Sequence, residues 1–344
     1  MILKELPIDA KARRKLWAKH RKHLAVREGA EQRVMGKLEK AAVLLEETNG
    51  HFLEARPPGA ASAVDVMPLI KVRSAVVRLA AHYQVKAAAL CFDDDAGGDR
   101  VPEAAEAVSL LWWLQHDCQQ LQLAAEVVRG EPNDSTWWAN HDQFRMAQSW
   151  VFSTVALGRQ QAGIAPLLFA KQRRYQTAGK LPDLMLDHAL FELGVWAWIG
   201  PDEAESPRGQ LLTQVLKSWD DQAAFEAVLC EVLDLHLLCQ DGHPAFAAYS
   251  AQEELKLSVA SGNFAGLWLE HEPLAVEALC LARLRVEQGY PWPSLDHPLW
   301  PDGLEMIYRL AAERSGRPAS PALSTLDTAM AMLPVQARLE AHLA

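Results

Sequence analysis

Residues 133–157 read Asn-Asp-Ser-Thr-Trp-Trp-Ala-Asn-His-Asp-Gln-Phe-Arg-Met-Ala-Gln-Ser-Trp-Val-Phe-Ser-Thr-Val-Ala-Leu, and this stretch decides the fold class. Asn133, Asp134 and Ser135 can each accept a hydrogen bond from the orphan donors of a helix start, and Pro132 keeps the preceding turn out of the helix. Trp137, Phe144, Ala147, Val151 and Val155 recur at helical spacing. Met146, Trp150 and Leu157 widen that stripe until more than half the circumference is apolar. A helix of this kind is covered on several sides, so the stretch is predicted to be a buried central helix with other helices packed around it.

Working outward, Val101 to Val128 is a second, almost continuously apolar helix with Trp112 and Trp113 near its middle. Gly130, Glu131 and Pro132 end it, which predicts a tight antiparallel hairpin with the central helix. Val64 to Leu90 is an alanine-rich helical pattern, and Asp9 to Glu47 is another, with Gly29 placed to break it in two. Beyond the centre, Pro182 and Asp183 begin a helix to Ile199. Asp220 and Asp221 cap one running to Cys239, and Glu272-Pro273 starts one that Gly289 stops. Tyr290 to Pro301 holds four prolines and is predicted to be an ordered crossing loop. Leu304 to Arg314 and Ser324 to Leu343 close the chain as helices. No alternating β-branched run appears, so the expected fold is all-α: about a dozen helices as stacked antiparallel helix pairs around a buried central helix. The expected organisation is a basic helical segment over 1–60, a helical body over 61–314, and a linker with a terminal amphipathic helix over 315–344.

The 344 residues are 50% hydrophobic, enough to fill a core without staples. Cys91, Cys118, Cys230, Cys239 and Cys280 are an odd set without Cys-x-x-Cys spacing. They read as reduced thiols of a cytoplasmic protein. The first nine residues lack the pattern of a secretory signal, and no apolar run is long enough to span a bilayer.

Charge is uneven. Residues 1–40 carry twelve Lys and Arg against five Asp and Glu, a balance of +7, which leaves −17 on the remaining residues of a chain whose net charge is −10. An acidic body disfavours nucleic acid and favours encounters with a basic partner. Lys11 to Lys22 holds seven basic residues and no acid. It reads either as a nucleic-acid or membrane arm or as a solvated helix face pairing with the acidic body; only Trp17 interleaves with the charges, which favours the second.

Catalytic signatures are missing from the sequence: no Gly-x-Ser-x-Gly, no phosphate-binding Gly-rich loop, no His-Glu-x-x-His and no Gly-x-Gly-x-x-Gly. No histidine follows a glutamate by three residues, which disfavours a two-metal bundle. No cofactor or metal is expected. Asp93-Asp94-Asp95-Ala-Gly-Gly-Asp99 lacks the alternating ligands of a calcium loop and reads as an exposed acidic turn. Asp202, Glu203 and Glu205 form a second acidic loop. Adjacent pairs such as His116-Asp117, His141-Asp142, Asp187-His188 and Asp296-His297 diverge by about 100° on a helix and do not converge on one atom unaided. His20, His116, His141 and His271 each follow a tryptophan by three residues, which favours ring packing. An uncharacterised helical enzyme would have to use His141, Asp142, His188 and Glu192; a helical scaffold or adaptor would need a long groove.

The C-terminal third carries a resemblance. Glu272-Pro-Leu-Ala-Val-Glu-Ala-Leu-Cys-Leu-Ala-Arg-Leu-Arg-Val-Glu-Gln-Gly-Tyr-Pro-Trp-Pro, followed by Asp296-His-Pro-Leu-Trp-Pro-Asp-Gly-Leu-Glu, resembles the closing part of the Imm49-type immunity proteins of bacterial polymorphic toxin and type VI secretion systems. The Trp-rich middle is compatible with that family, and the likeness lies mainly in residues 135–310. It implies an all-α cytoplasmic protein that binds a cognate toxin and covers its active site, and it carries over no catalytic residue. A basic nuclease toxin would suit the acidic body. On that reading Asp93, Asp94, Asp95, Asp99, Asp202, Glu203 and Glu205 face the partner, and Trp292 and Trp300 are rim anchors.

Overall fold

Local chemistry sets the helix boundaries. In the computed structural model, which describes residues 8–24, 29–52, 67–93, 100–129, 150, 152–159, 214–240, 273–314 and 316–331, the first helix, α1 (Ala10–Arg21), is capped by Asp9, whose carboxylate accepts from the Ala12 amide at 2.7 Å. Lys19, His20 and Arg21 fill its last turn, where positive charge complements the helix dipole. A 3₁₀ turn over Lys22–Leu24 follows. Gly29 then turns the chain at φ 67°, and α2 (Ala30–Phe52) begins. The expected break at Gly29 is therefore real, because that left-handed conformation is open to glycine at little cost.

Helix α3 (Met67–Cys91) and helix α4 (Val101–Arg129) follow, close to the bounds expected from periodicity. Asp221 caps α5 (Gln222–Gln240), accepting from the Ala224 amide at 3.0 Å. Then come α6 (Val276–Glu287), α7 (Leu304–Glu313) and α8 (Pro321–Ala331). Shorter helical stretches lie at 152–156 and 214–217. Among the described residues the regular elements are all helices and no strand is present, so this part of the chain is all-α.

Helices α3 and α4 form the spine, and α3 packs against both α2 and α4. Buried alanines line them, Ala75, Ala80, Ala87 and Ala88 on α3 and Ala104, Ala105 and Ala107 on α4. Side chains this small let helix backbones approach closely. One end of the spine meets α2 and α8 in a core of Leu38, Val72, Leu79, Leu114, Leu121 and Leu326. The other end meets the stretch around 150–157, α5, α6 and α7 in a larger core containing Trp112, Trp150, Phe225, Leu233, Leu279 and Ile307. Of the stretch expected to be the central helix, residues 133–149 and 151 lie outside the described residues. Its end, Trp150, Phe152, Val155 and Leu157, is buried.

That end closes on a Schellman arrangement. The Gly158 amide donates to the Val155 carbonyl at 2.8 Å and the Arg159 amide to the Thr154 carbonyl at 2.9 Å, with Gly158 at φ 64°. A Cβ added there would stand 2.8 Å from Nη2 of Arg283. Gly158→Ala therefore meets both backbone strain and a steric contact. Thermal unfolding should show a loss of about 1–3 kcal/mol, and a melting point equal to the parent's would refute the constraint.

Cys91, Cys118 and Cys280 are buried and Cys230 half-buried, and all four are free thiols. Burial pushes Cys91 up to about 12 and raises the other three. These thiols stay protonated and unreactive at neutral pH. No helix among the described residues is long and apolar enough to cross a membrane.

Candidate functional site

Helix α5 carries its chemistry inside an apolar run. Val232, Leu233, Leu235, Leu237 and Leu238 are buried, and between them lie Asp234 and His236, also buried. Such groups need partners, and each finds them on distant parts of the chain.

Asp234 is the hub of the first cluster. Nε and Nη2 of Arg13, on α1, donate to its two oxygens at 2.6 and 2.8 Å. The Ile8 amide donates to Oδ2 at 3.2 Å. His297, in the crossing loop, lies 3.1 Å from Oδ1 through Nε2. Its other nitrogen, Nδ1, accepts from the Leu299 amide at 3.1 Å. That bond fixes the tautomer: Nδ1 is bare, so Nε2 carries the hydrogen and donates to Asp234. Burial alone would push the Asp234 carboxyl up, but the bonds from Arg13 and His297 outweigh it and its pKa is lowered. Burial also lowers His297, against the pull of Asp234, so the imidazole is held neutral. Beside this hub, His236 Nδ1 stands 2.5 Å from Oε1 of Glu277, at the start of α6. The two pairs bind α1, α5, α6 and the crossing loop to one another.

A second cluster sits at the C-terminal side of α4. Arg317 donates to both oxygens of Asp117, at 3.1 and 2.5 Å, and its Nε lies 2.7 Å from Asp327 on α8. Burial works against the Arg317 charge, but the two carboxylates outweigh it and its pKa is raised. The guanidinium covers Trp113 at 5.0 Å, and Arg159 covers Trp112 at 4.2 Å. His116 stacks on Trp112 at 5.4 Å and tilts against Trp150 at 5.9 Å. An open polar cleft of about 300 Å³ lies beside Arg317, lined also by His116, Gln120 and Met330. The expected ring packing of His116 on Trp113 and of His20 on Trp17 is present, at 5.6 and 5.5 Å.

A third feature is a groove of about 440 Å³ between α2 and α3. Ala41, Leu44, Met67, Ile70 and Ala75 give it apolar walls. Lys37, Lys40, Lys71 and Arg78 stand around it, and no carboxylate lines it among the described residues.

The residues expected at a partner surface separate. Asp93 is partly exposed and forms an ion pair with Arg100, which neutralises much of its charge locally. Asp94, Asp95, Asp99, Asp202, Glu203 and Glu205 lie outside the described residues, as do His141, Asp142, His188 and Glu192. Trp292 is half-buried and stacks on Trp300 at 5.4 Å. Trp300 itself is buried, its Nε1 donating to the Pro293 carbonyl at 3.1 Å. It is therefore a core residue rather than a rim anchor, because the proline-rich loop folds back over it. His297 reaches Asp234 and not its neighbour Asp296, whereas His116, contrary to the expected divergence, does meet its neighbour, Nδ1 lying 3.4 Å from Oδ1 of Asp117.

Sequence reasoning missed Arg13, Asp234, His236 and Glu277. The available signal was an acid and an imidazole two positions apart in the most apolar part of α5. Among the described residues no group of three His, Cys, Asp or Glu side chains is placed to hold a metal ion. No protein-family model, curated protein or solved structure matches the chain.

Proposed function

We propose that this chain is an immunity protein that binds a cognate bacterial toxin and neutralises it by covering the toxin's active site. The observation that carries this reading is the use of the buried acids and imidazoles. Asp234 accepts from Arg13, His297 and Ile8, Glu277 meets His236, and Asp117 holds Arg317. Among the described residues these groups fasten one element to another, which favours a chain that acts on other molecules through its surface. Two further facts favour a protein partner. The net charge of −10 speeds encounter with a basic toxin, and the segment resembling immunity proteins, from Pro273 onward, supplies much of the larger core through Leu274, Leu279, Leu299 and Trp300.

The test is co-expression with the toxic C-terminal domain of a secreted protein encoded beside the gene. The expected result is protection of the host cell and a one-to-one complex. Charge reversal at Asp94 and Asp95 should slow association by about tenfold at low salt and leave dissociation nearly unchanged. Reversal at Asp93 should do less, because Arg100 already neutralises it. Trp292→Ala should speed dissociation instead. Loss of protection in a His141→Ala variant that still binds the toxin would sink the blocking mechanism and favour an enzyme.

A further inference from the structure

We propose that the groove between α2 and α3 seats an acidic amphipathic helix of about three turns from a partner protein. This goes beyond the immunity reading and does not depend on it, since the same groove would serve any protein that offers such a helix.

The sequence prepares the groove. In a chain of net charge −10, α3 contains Lys71, Arg73, Arg78 and Lys86 and not one acid. Two of these, Lys71 and Arg78, point to the groove, seven residues or about 10 Å apart along the helix. On α2, Lys37 and Lys40 stand one turn apart on the same cleft. Both lips are thus positive.

Spacing supplies the second argument. The lining positions are 37, 40, 41 and 44 on α2 and 67, 70, 71, 74, 75 and 78 on α3. Each set follows the three-and-four rhythm of a helix face that receives another helix. Small residues, Ala41, Ser74 and Ala75, lie between the larger Leu44, Met67 and Ile70, which lets an incoming backbone come close. From Met67 to Arg78 the seat is about 16 Å long, which sets the length of the occupant. Met67 remains 42% exposed, an apolar side chain that no described residue fully covers.

Charge complementarity decides the occupant. Leucines at the same rhythm would fill the apolar strip, and glutamates on the two flanks would meet Lys37 and Lys40 on one lip and Lys71 and Arg78 on the other. A lipid surface fits less well, because among the apolar lining side chains only Met67 is exposed, too few to form a face that enters a bilayer.

The probe is a fluorescein-labelled peptide of about 15 residues, since shorter helices barely form in water. It carries leucines at the three-and-four spacing and glutamates on both flanks; a control peptide has lysine in place of glutamate. Fluorescence anisotropy with the full chain should show saturable binding of the acidic peptide, weakening as salt is raised, and none of the control. The Lys40→Glu, Lys71→Glu double variant should weaken binding by at least about tenfold. Ser74→Trp, which fills the cleft without altering charge, should abolish it. All three side chains are exposed, so circular dichroism and melting of both variants should match the parent. Equal binding of the lysine peptide, parent-like binding by Ser74→Trp, or binding of phosphatidylglycerol vesicles in place of either peptide would each overturn the proposal.

Discussion

Asp234→Ala is expected to lower the unfolding free energy by about 3–5 kcal/mol, the range for breaking a buried ion pair by removing one partner. The Asp234 side chain is fully buried and that of Arg13 retains 19% exposure. Without the carboxylate, Arg13 faces an apolar helix, and His297 and the Ile8 amide each lose an acceptor. The effect should be read as a lower urea midpoint. A double variant, Arg13→Met with Asp234→Leu, should recover most of the loss, because replacing a buried pair with apolar residues of similar volume is often neutral. A single variant within about 1 kcal/mol of the parent would show that α1 is not held by this contact.

The same cluster gives stability a pH dependence whose sign follows from the two shifts. The pKa of His297 is lowered on folding, so the unfolded chain binds its proton first and stability falls as pH drops below about 6.5. Asp234 is also lowered, so its contribution is present above about 3.9 and is lost as pH falls through the still lower value it has in the folded protein. Both act in one direction, the imidazole in mild acid and the carboxylate in stronger acid. In Asp234→Ala the acidic step should vanish.

What could be read from the sequence is what depends on near neighbours. The Asp221 cap, the break at Gly29, the bounds of α3 and α4, and the packing of His20 on Trp17 all rest on residues within a few positions of one another. The ties that fix the tertiary arrangement are of another kind. Asp234 meets Arg13 across 221 positions and His297 across 63, and no periodicity predicts which distant partner a buried carboxylate will find. Trp300 shows the same limit. Its place in a proline-rich loop suggested exposure, yet the Pro293 carbonyl that satisfies its ring nitrogen is seven residues away, and that bond lets the indole turn inward. The groove was hidden for a related reason. Lys37 and Lys40 look like ordinary solvated charges until α2 is laid against α3, when they face Lys71 and Arg78. The only local sign was the complete lack of acids on α3.

The second large effect concerns Arg285, whose side chain is fully buried. It lies between two rings, with its guanidinium carbon 4.4 Å from the centroid of Phe225 and 4.4 Å from that of Tyr290. Nε donates to the Trp219 carbonyl at 2.8 Å and Nη1 donates to Gln222. Among the described residues no carboxylate pairs with it directly. Asp220 instead accepts from the Tyr290 hydroxyl at 2.5 Å, on the outer side of the sandwich. The guanidinium is thus held over two aromatic faces and by neutral acceptors, which a weakly hydrated flat cation tolerates and an ammonium does not. Arg285→Lys should therefore cost about 3–5 kcal/mol, because it keeps the buried charge while losing the flat faces and the fork of donors. Arg285→Met should cost less, about 1–3 kcal/mol, since it fills the space, removes the charge and leaves sulfur against the rings. The order is the test: if urea unfolding shows Met to be worse than Lys, the rings require the positive charge itself, and stacking geometry is not what keeps an arginine here.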